Sequence, residues 1–313
     1  MPGAYAHITM AFRTVNPEVF SDMGLEDVFA GQLMQHVGYF ELGAISPDMP
    51  YLVGTGKNLR AIAWADSMHQ QDVSNRIRAG VEAVAGLSGE TRMKCLAWLL
   101  GFVEHVVFDV FMHPVVNKIS KGVYGPLTKE LHQRCEMNQD VYILLEKFNI
   151  TDLSDAEIVR AVVQHLHSVV NVDAIDADVR NIFDIMLKNS SINLYSSNKP
   201  EIDGWFSSFV AKMKLQEGSS LLVGIGRHVG LDLIYPKAED LDKEFIVNLP
   251  TPNNSSKSYD ELFSEAGKNV SEWWGRIIRA VEGKEQFADS WFDGWNLDTG
   301  TDRSEQYSLW RNT

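Results

Sequence analysis

The sequence predicts a mainly α-helical fold, a multi-helix bundle followed by a less regular C-terminal region with a few short strands. Two observations carry this. Apolar residues recur at helical period through the first half of the chain, and after about Asn189 Ser, Asn and Gly become frequent and interrupt that pattern. The composition fits a globular protein: 313 residues, 45% hydrophobic and 22% charged, enough for one large domain or one domain with an elaboration. Lys+Arg number 28 against 42 Asp+Glu, a net charge of −14, which leaves no electrostatic footprint for duplex nucleic acid. Cys95 and Cys135, the two cysteines, match no zinc-knuckle spacing and build no disulfide framework.

Taken in order, Glu18 to Phe40 reads as helix, ending at the loop Gly43 to Pro50, where two prolines flank Asp48. Helices follow at Asn58 to about His69 and at Gln71 to Ala85. A long apolar helix spans 91–113, which Pro114 should end or kink. Further helices are expected at Thr128 to Lys147, from Asp152 to roughly Val170, and from Asp173 to Lys188. Residues 1–188 are thus expected to form a helical domain and 189–313 an irregular region packed on it and shaping a pocket. In the latter, Glu244 to Leu249 alternates as a short strand would. Five of the eight tryptophans cluster within its residues 273–310, Trp273, Trp274, Trp291, Trp295 and Trp310, which fits packing of an irregular region around large aromatics better than an exposed lipid or substrate surface.

The segment from Cys95 to Val116 is apolar enough to be mistaken for a membrane span, but it carries Glu104, His105, Asp109 and His113. His105, Asp109 and His113 are spaced i, i+4, i+8 and share one stripe of a helix. About twenty residues later His132, Glu136 and Asp140 repeat that spacing. Two neighbouring helices would each offer three ligand-type side chains, as in bundle cores that hold dinuclear metal sites. A satisfied polar core is the competing reading. Burying Asp109 without a partner would cost several kcal/mol, a penalty that a cation removes.

The run Leu100 to Pro114, with Ala6-His7, the Pro47-Asp48 pair, Trp64 to His69 and His132-x3-Glu136-x3-Asp140 in the same order, resembles the zinc-dependent phospholipase C family. The N-terminal domain of glycosylphosphatidylinositol-specific phospholipase D belongs to that group, and the single-strand-specific zinc nucleases are more distant relatives. The resemblance covers residues 4–145, with a fainter echo at Trp295 to Gly300. It implies the phospholipase C/single-strand-nuclease type of helical bundle, with a metal cluster in its core. It implies two or three Zn2+ ions: His69, His105 and Asp109 on one, His113, His132 and Glu136 on a second, His7 with the shared Asp109 on a third. Asp48 would be general base or a further ligand, and Asp140 an outer partner of the ligands or an alternative ligand. Secreted bacterial members begin, once processed, with a tryptophan that binds the third zinc. Here that residue is missing and no secretory signal is visible, so His7 is expected to lack that partner. The expected compartment is the cytoplasm, with unconventional export or effector delivery as the alternative.

Clustered divalent ions suit phosphodiester hydrolysis, because they activate water and clamp phosphate oxygens. The favoured reading is a phospholipase C-like hydrolase acting on a phospholipid headgroup by metal-activated water, with transient membrane-surface contact and no transmembrane segment. The alternatives are a phosphodiesterase, phosphatase or nuclease on soluble phosphate esters, and a non-catalytic protein stabilised by its metals. No His-Asp dipeptide and no His-Glu-x-x-His occurs. His165 and His167, two apart on an expected helix, and the Gly224 to Gly230 stretch with His228 fit no metal or dinucleotide spacing.

Overall fold

The computed structural model describes residues 3–56, 58–148, 174–217, 235–236 and 238–310. The helix expected from Asp152 to Val170, with His165 and His167, and the stretch Gly224 to Gly230 with His228 lie outside the described residues. Twelve α-helices are seen among those described, and the fold is mainly α. They are α1 Ala4–Thr14, α2 Pro17–Asp22, α3 Asp27–Met34, α4 Val37–Ile45, α5 Leu59–Gln70, α6 Val73–Ala85, α7 Gly89–Ile119, α8 Lys129–Phe148, α9 Ala177–Ser190, α10 Ile192–Ser197, α11 Ile202–Glu217 and α12 Tyr259–Val281. A 3-10 segment, Ser46–Gly56, follows α4 directly, and β1 Leu249–Pro250 pairs antiparallel with β2 Ser256–Lys257.

Local chemistry sets several of the starts. The Asn58 side chain accepts from the Arg60 and Ala61 amides to open α5, and Asp176 does the same for α9. Ser258 and Glu261 form a reciprocal capping box at α12. The single helical run expected from Glu18 to Phe40 is divided among α2, α3 and α4, with Gly24 at a positive φ of 75° between the first two. The strand expected at Glu244 to Leu249 is a 3-10 turn at Lys243–Phe245, and extended pairing begins only at Leu249.

Helix α7 is the axis of the molecule. Every residue from Cys95 to Val116 is buried, because α1, α4, α6, α8, α9 and α12 all pack around it. A helix surrounded on all sides needs apolar residues on all sides, which is why this segment has the length and composition of a membrane span while its apolar window lies wholly inside the protein. Pro114 does not end it; the helix continues to Ile119. Partners from the C-terminal region fasten onto its carbonyls. Trp274 Nε1 donates to the Leu100 carbonyl at 2.7 Å and Trp310 Nε1 to that of Phe111 at 2.9 Å. Trp291 and Trp295 are buried as well, so these tryptophans pack the interior.

Helices α4 and α7 meet backbone to backbone. A Cβ at Gly43 would lie 2.0 Å from the Trp98 carbonyl oxygen, and one at Gly101 would lie 2.0 Å from that of Phe40. Gly43, expected to begin a loop, is therefore helical and serves as half of a glycine-to-glycine crossing. The crossing brings the Ala44 carbonyl within 2.7 Å of His105 Nδ1. Gly101→Ala should lower stability by about 1–3 kcal/mol through overpacking, read as an earlier urea midpoint; an unchanged midpoint would contradict so tight a crossing.

Glu41, on α4, is buried, and its Oε2 has no hydrogen-bond partner. Burial alone pushes its pKa up to about 8. The folded protein thus holds a proton that the unfolded chain releases above its ordinary carboxylate pKa. Stability falls by about 1.4 kcal/mol per pH unit between that value and the folded one. Glu41→Gln removes this slope, so its advantage over the wild type in urea midpoint should widen from pH 5 to pH 8 (about the interval between the two pKa values); a constant offset would refute the assignment.

Candidate metal centre

Five elements deliver the candidate side chains to the centre of the bundle. His7 comes from α1, Asp48 from the 3-10 segment and His69 from the last turn of α5. His105, Asp109 and His113 come from α7, and His132, Glu136 and Asp140 from α8. All nine are buried.

Asp48 Oδ1, His69 Nε2 and His105 Nε2 form one group of facing ligand atoms, and Asp109 Oδ2 lies beside both imidazoles. His69 Nε2 lies 3.2 Å from His105 Nε2, 3.3 Å from Asp48 Oδ1 and 3.7 Å from Asp109 Oδ2. His105 Nε2 lies 3.4 Å from Asp109 Oδ2 and 4.0 Å from Asp48 Oδ1. Ligand atoms about 2.0–2.1 Å from a tetrahedral zinc stand roughly 3.3 Å apart, and the three shortest of these spacings match that edge. The other Asp109 oxygen, Oδ1, is 3.3 Å from His7 Nε2, so one carboxylate faces both groups. A separate group holds His113, His132 and Glu136, with Glu136 Oε1 2.9 Å from His132 Nε2 and 3.8 Å from His113 Nε2.

Hydrogen bonds fix the imidazoles. His69 Nδ1 donates to the Ala65 carbonyl at 2.7 Å, His105 Nδ1 to that of Ala44, and His113 Nδ1 to that of Leu297. A carbonyl only accepts, so Nδ1 carries the proton and Nε2 presents a lone pair. The His69 and His105 lone pairs therefore face each other across 3.2 Å, a repulsive arrangement unless a cation lies between them. His7 Nε2, Asp48 Oδ1, both Asp109 oxygens and His113 Nε2 are buried without a hydrogen-bond partner. Orphaned nitrogen and oxygen atoms aimed at common points are the donor set of a borderline divalent metal.

The electrostatics agree. Burial works against ionisation of Asp109, yet His105 and His113 outweigh it and hold the carboxyl well below its ordinary range. Burial lowers the His105 pKa and takes that of His113 down to about 3, so both are neutral ligands at physiological pH. Burial also opposes protonation of His7, but Glu104 and Asp109 prevail and lift it to about 10. This acidic corner needs positive charge, which a proton or a metal ion can supply.

Asp140 faces away from these groups. Its Oδ1 accepts from the Ala6 amide and its Oδ2 from the Tyr235 hydroxyl, each at 2.8 Å. Gly3, at the N-cap of α1, has no side chain with which to cap the helix. A Cβ there would lie 1.8 Å from Asp140 Oδ2, so the missing side chain makes room for a cap delivered by α8. Asp140 thereby fixes the start of α1, a turn before His7.

Sequence reasoning passed over several residues that hold the site. Glu104 lies 3.3 Å from His7 Nδ1, a contact 97 residues apart in sequence; the signal was a second acid in the apolar helix. Arg76, fully buried, donates to the carbonyls of Ser67, Met68 and Gln71, closing the end of α5 that bears His69. The loop at Asn296 to Gly300, the fainter echo, is a clasp. The Leu297 amide donates to the His69 carbonyl at 2.7 Å while the Leu297 carbonyl takes the His113 proton. Gln70 and Asn117 both donate to Asp298.

The family model for zinc-dependent phospholipase C matches residues 6–193, more than half of the chain and a span that includes all nine candidate residues. The chain belongs to that family, and is a zinc-dependent hydrolase of the phospholipase type. Searches of curated proteins and of solved structures found no match.

Chelation should lower the melting temperature, and zinc should restore it. Each site held at a hundredfold excess of free metal over its Kd adds about 2.7 kcal/mol. Calorimetry with and without chelator reads this; an unshifted transition would mean that the donor groups hold no metal.

Proposed function

We propose that this chain is a phospholipase C that cleaves the phosphodiester of a phospholipid and releases a phosphorylated headgroup. The observation that carries the reading is the buried cluster of His69, His105 and Asp109 with Asp48 beside it, adjacent to the group of His113, His132 and Glu136. Zinc held there would supply an acidified water and positive charge against the phosphate oxygens. His69, His105 and Asp109 would hold one ion, His113, His132 and Glu136 a second, and His7 with Asp109 a third.

Asp48 has the properties of the general base. Burial raises its pKa, but His69 and His105 outweigh that, so the carboxylate is ionised at neutral pH. Its Oδ1 has no hydrogen-bond partner and is free to accept a proton. The water oxygen bonds to phosphorus, the water proton passes to Asp48, and the bond from phosphorus to the glycerol oxygen breaks. The leaving oxygen then takes up a proton, giving diacylglycerol. Ala44, Ala65 and Leu297 keep the imidazoles from turning while charge develops.

Asp48→Asn should retain zinc while kcat for diacylglycerol release falls about 10²–10⁴-fold, the usual worth of a positioned base. His105→Ala and Glu136→Ala should each lose metal. Elemental analysis beside a diacylglycerol assay separates the cases. Protein with two zinc equivalents that turns over no phospholipid would sink the proposal, and full metal in both alanine variants would sink the ligand assignment.

A further inference from the structure

The turn between α7 and α8 has one face on the metal centre and the other in solvent. On the inner face the Tyr124 ring meets His132 edge to face at 5.3 Å, and Gln133 Nε2 donates to the Tyr124 hydroxyl at 3.3 Å. On the outer face Leu127 is 100% exposed and Val123 45%. Exposure of this kind usually belongs to slack chain, but this turn is tightly bonded. Thr128 Oγ1 donates to the Val123 carbonyl at 2.6 Å, and the Thr128 and Lys129 amides both donate to that of Gly125. Ser120 Oγ donates to the Gly122 carbonyl at 2.8 Å, and Lys121 adopts a left-handed φ of 63°. The backbone is shaped to keep two apolar side chains in water, which calls for something to cover them.

The charges around them say what. In a chain carrying −14, residues 118–129 contain Lys118, Lys121 and Lys129 and no acid. Lys118 and Lys121 are exposed and Lys129 half-buried. Lys118 touches only the Asn254 side chain, at 3.4 Å, and none of the three has an ion-pair partner among the described residues. The nearest acid along the chain is the exposed Glu130, in the first turn of α8. Val247, 45% exposed, adds to this end of the molecule. It follows Phe245, which packs with Val116 and Cys135 against Ile119 and Leu131, on either side of the turn.

We infer that the turn at residues 118–129 is the surface by which this protein docks on an anionic phospholipid bilayer, with Val123 and Leu127 entering the headgroup layer and Lys118, Lys121 and Lys129 meeting the lipid phosphates. This rests on the reading of the centre as a phospholipase and names the physical form in which its substrate is met. Apolar insertion and lysine attraction are two weak signals that together hold a peripheral protein reversibly. A protein of net charge −14 approaches a negative surface only in an orientation that puts such cations first. Docked in this way, Tyr124 and His132 lie directly behind the lipid contact.

Sedimentation with vesicles tests it, using full-length zinc-loaded protein and vesicles of phosphatidylcholine alone or with phosphatidylserine. The wild type should partition onto the anionic vesicles and release them at high salt. The Val123→Ser, Leu127→Ser double variant should lose about tenfold or more in partitioning. The Lys121→Gln, Lys129→Gln variant should lose the preference for anionic vesicles. Both should keep the zinc content of the wild type and its rate on a short-chain phosphatidylcholine below its micelle concentration. Undiminished binding by the serine variant, or a wild type that does not distinguish the two vesicles or binds neither, overturns the inference. Vesicle binding through the turn without hydrolysis of any phospholipid leaves the docking surface standing and removes the catalytic reading.

Discussion

The arrangement on which the rest of the structure depends is a pair of imidazole nitrogens held 3.2 Å apart with their lone pairs opposed. Nothing in an apolar core favours that. It persists because backbone carbonyls grip the far side of each ring, and because Asp109, sealed at the centre of the longest helix, supplies negative charge that only a cation can balance. The surrounding helices can be seen as the means of keeping these groups from relaxing. The glycine crossing of α4 and α7 sets the Ala44 carbonyl, Arg76 closes the end of α5, and Asp140 fixes the start of α1.

What the sequence made legible follows from where the groups sit. The i, i+4, i+8 stripes of α7 and α8 could be read directly, since helical spacing alone puts those side chains on one face. Asp48 and His69 could not be found by spacing; they came from the order of short motifs, because a 3-10 segment and the last turn of a separate helix share no periodicity with α7. Glu104 escaped because the residue that gives it meaning, His7, lies on another helix. The carbonyls of Ala44, Ala65 and Leu297 left no trace, for a backbone oxygen looks the same in every residue. Gly43 was misleading for a physical reason. Glycine breaks exposed helices, but in a buried one its missing side chain permits contact between backbones.

The C-terminal region changes character in the same light. Its tryptophans and short pairings looked like irregular filling, yet Trp274 and Trp310 bond to carbonyls of α7 and the loop at Leu297 ties α5 to α7. The matched family region ends at residue 193, so this clasp lies beyond the matched span.

The clasp also bears on how the protein is made. His113 is oriented by a carbonyl 184 residues further along the chain. Closing so long a loop is entropically costly and late. While the chain is being synthesised, α7 and α8 emerge with their ligands well before Leu297 leaves the ribosome. The nascent protein therefore passes through a stage in which His113 is free to turn and the centre lies open.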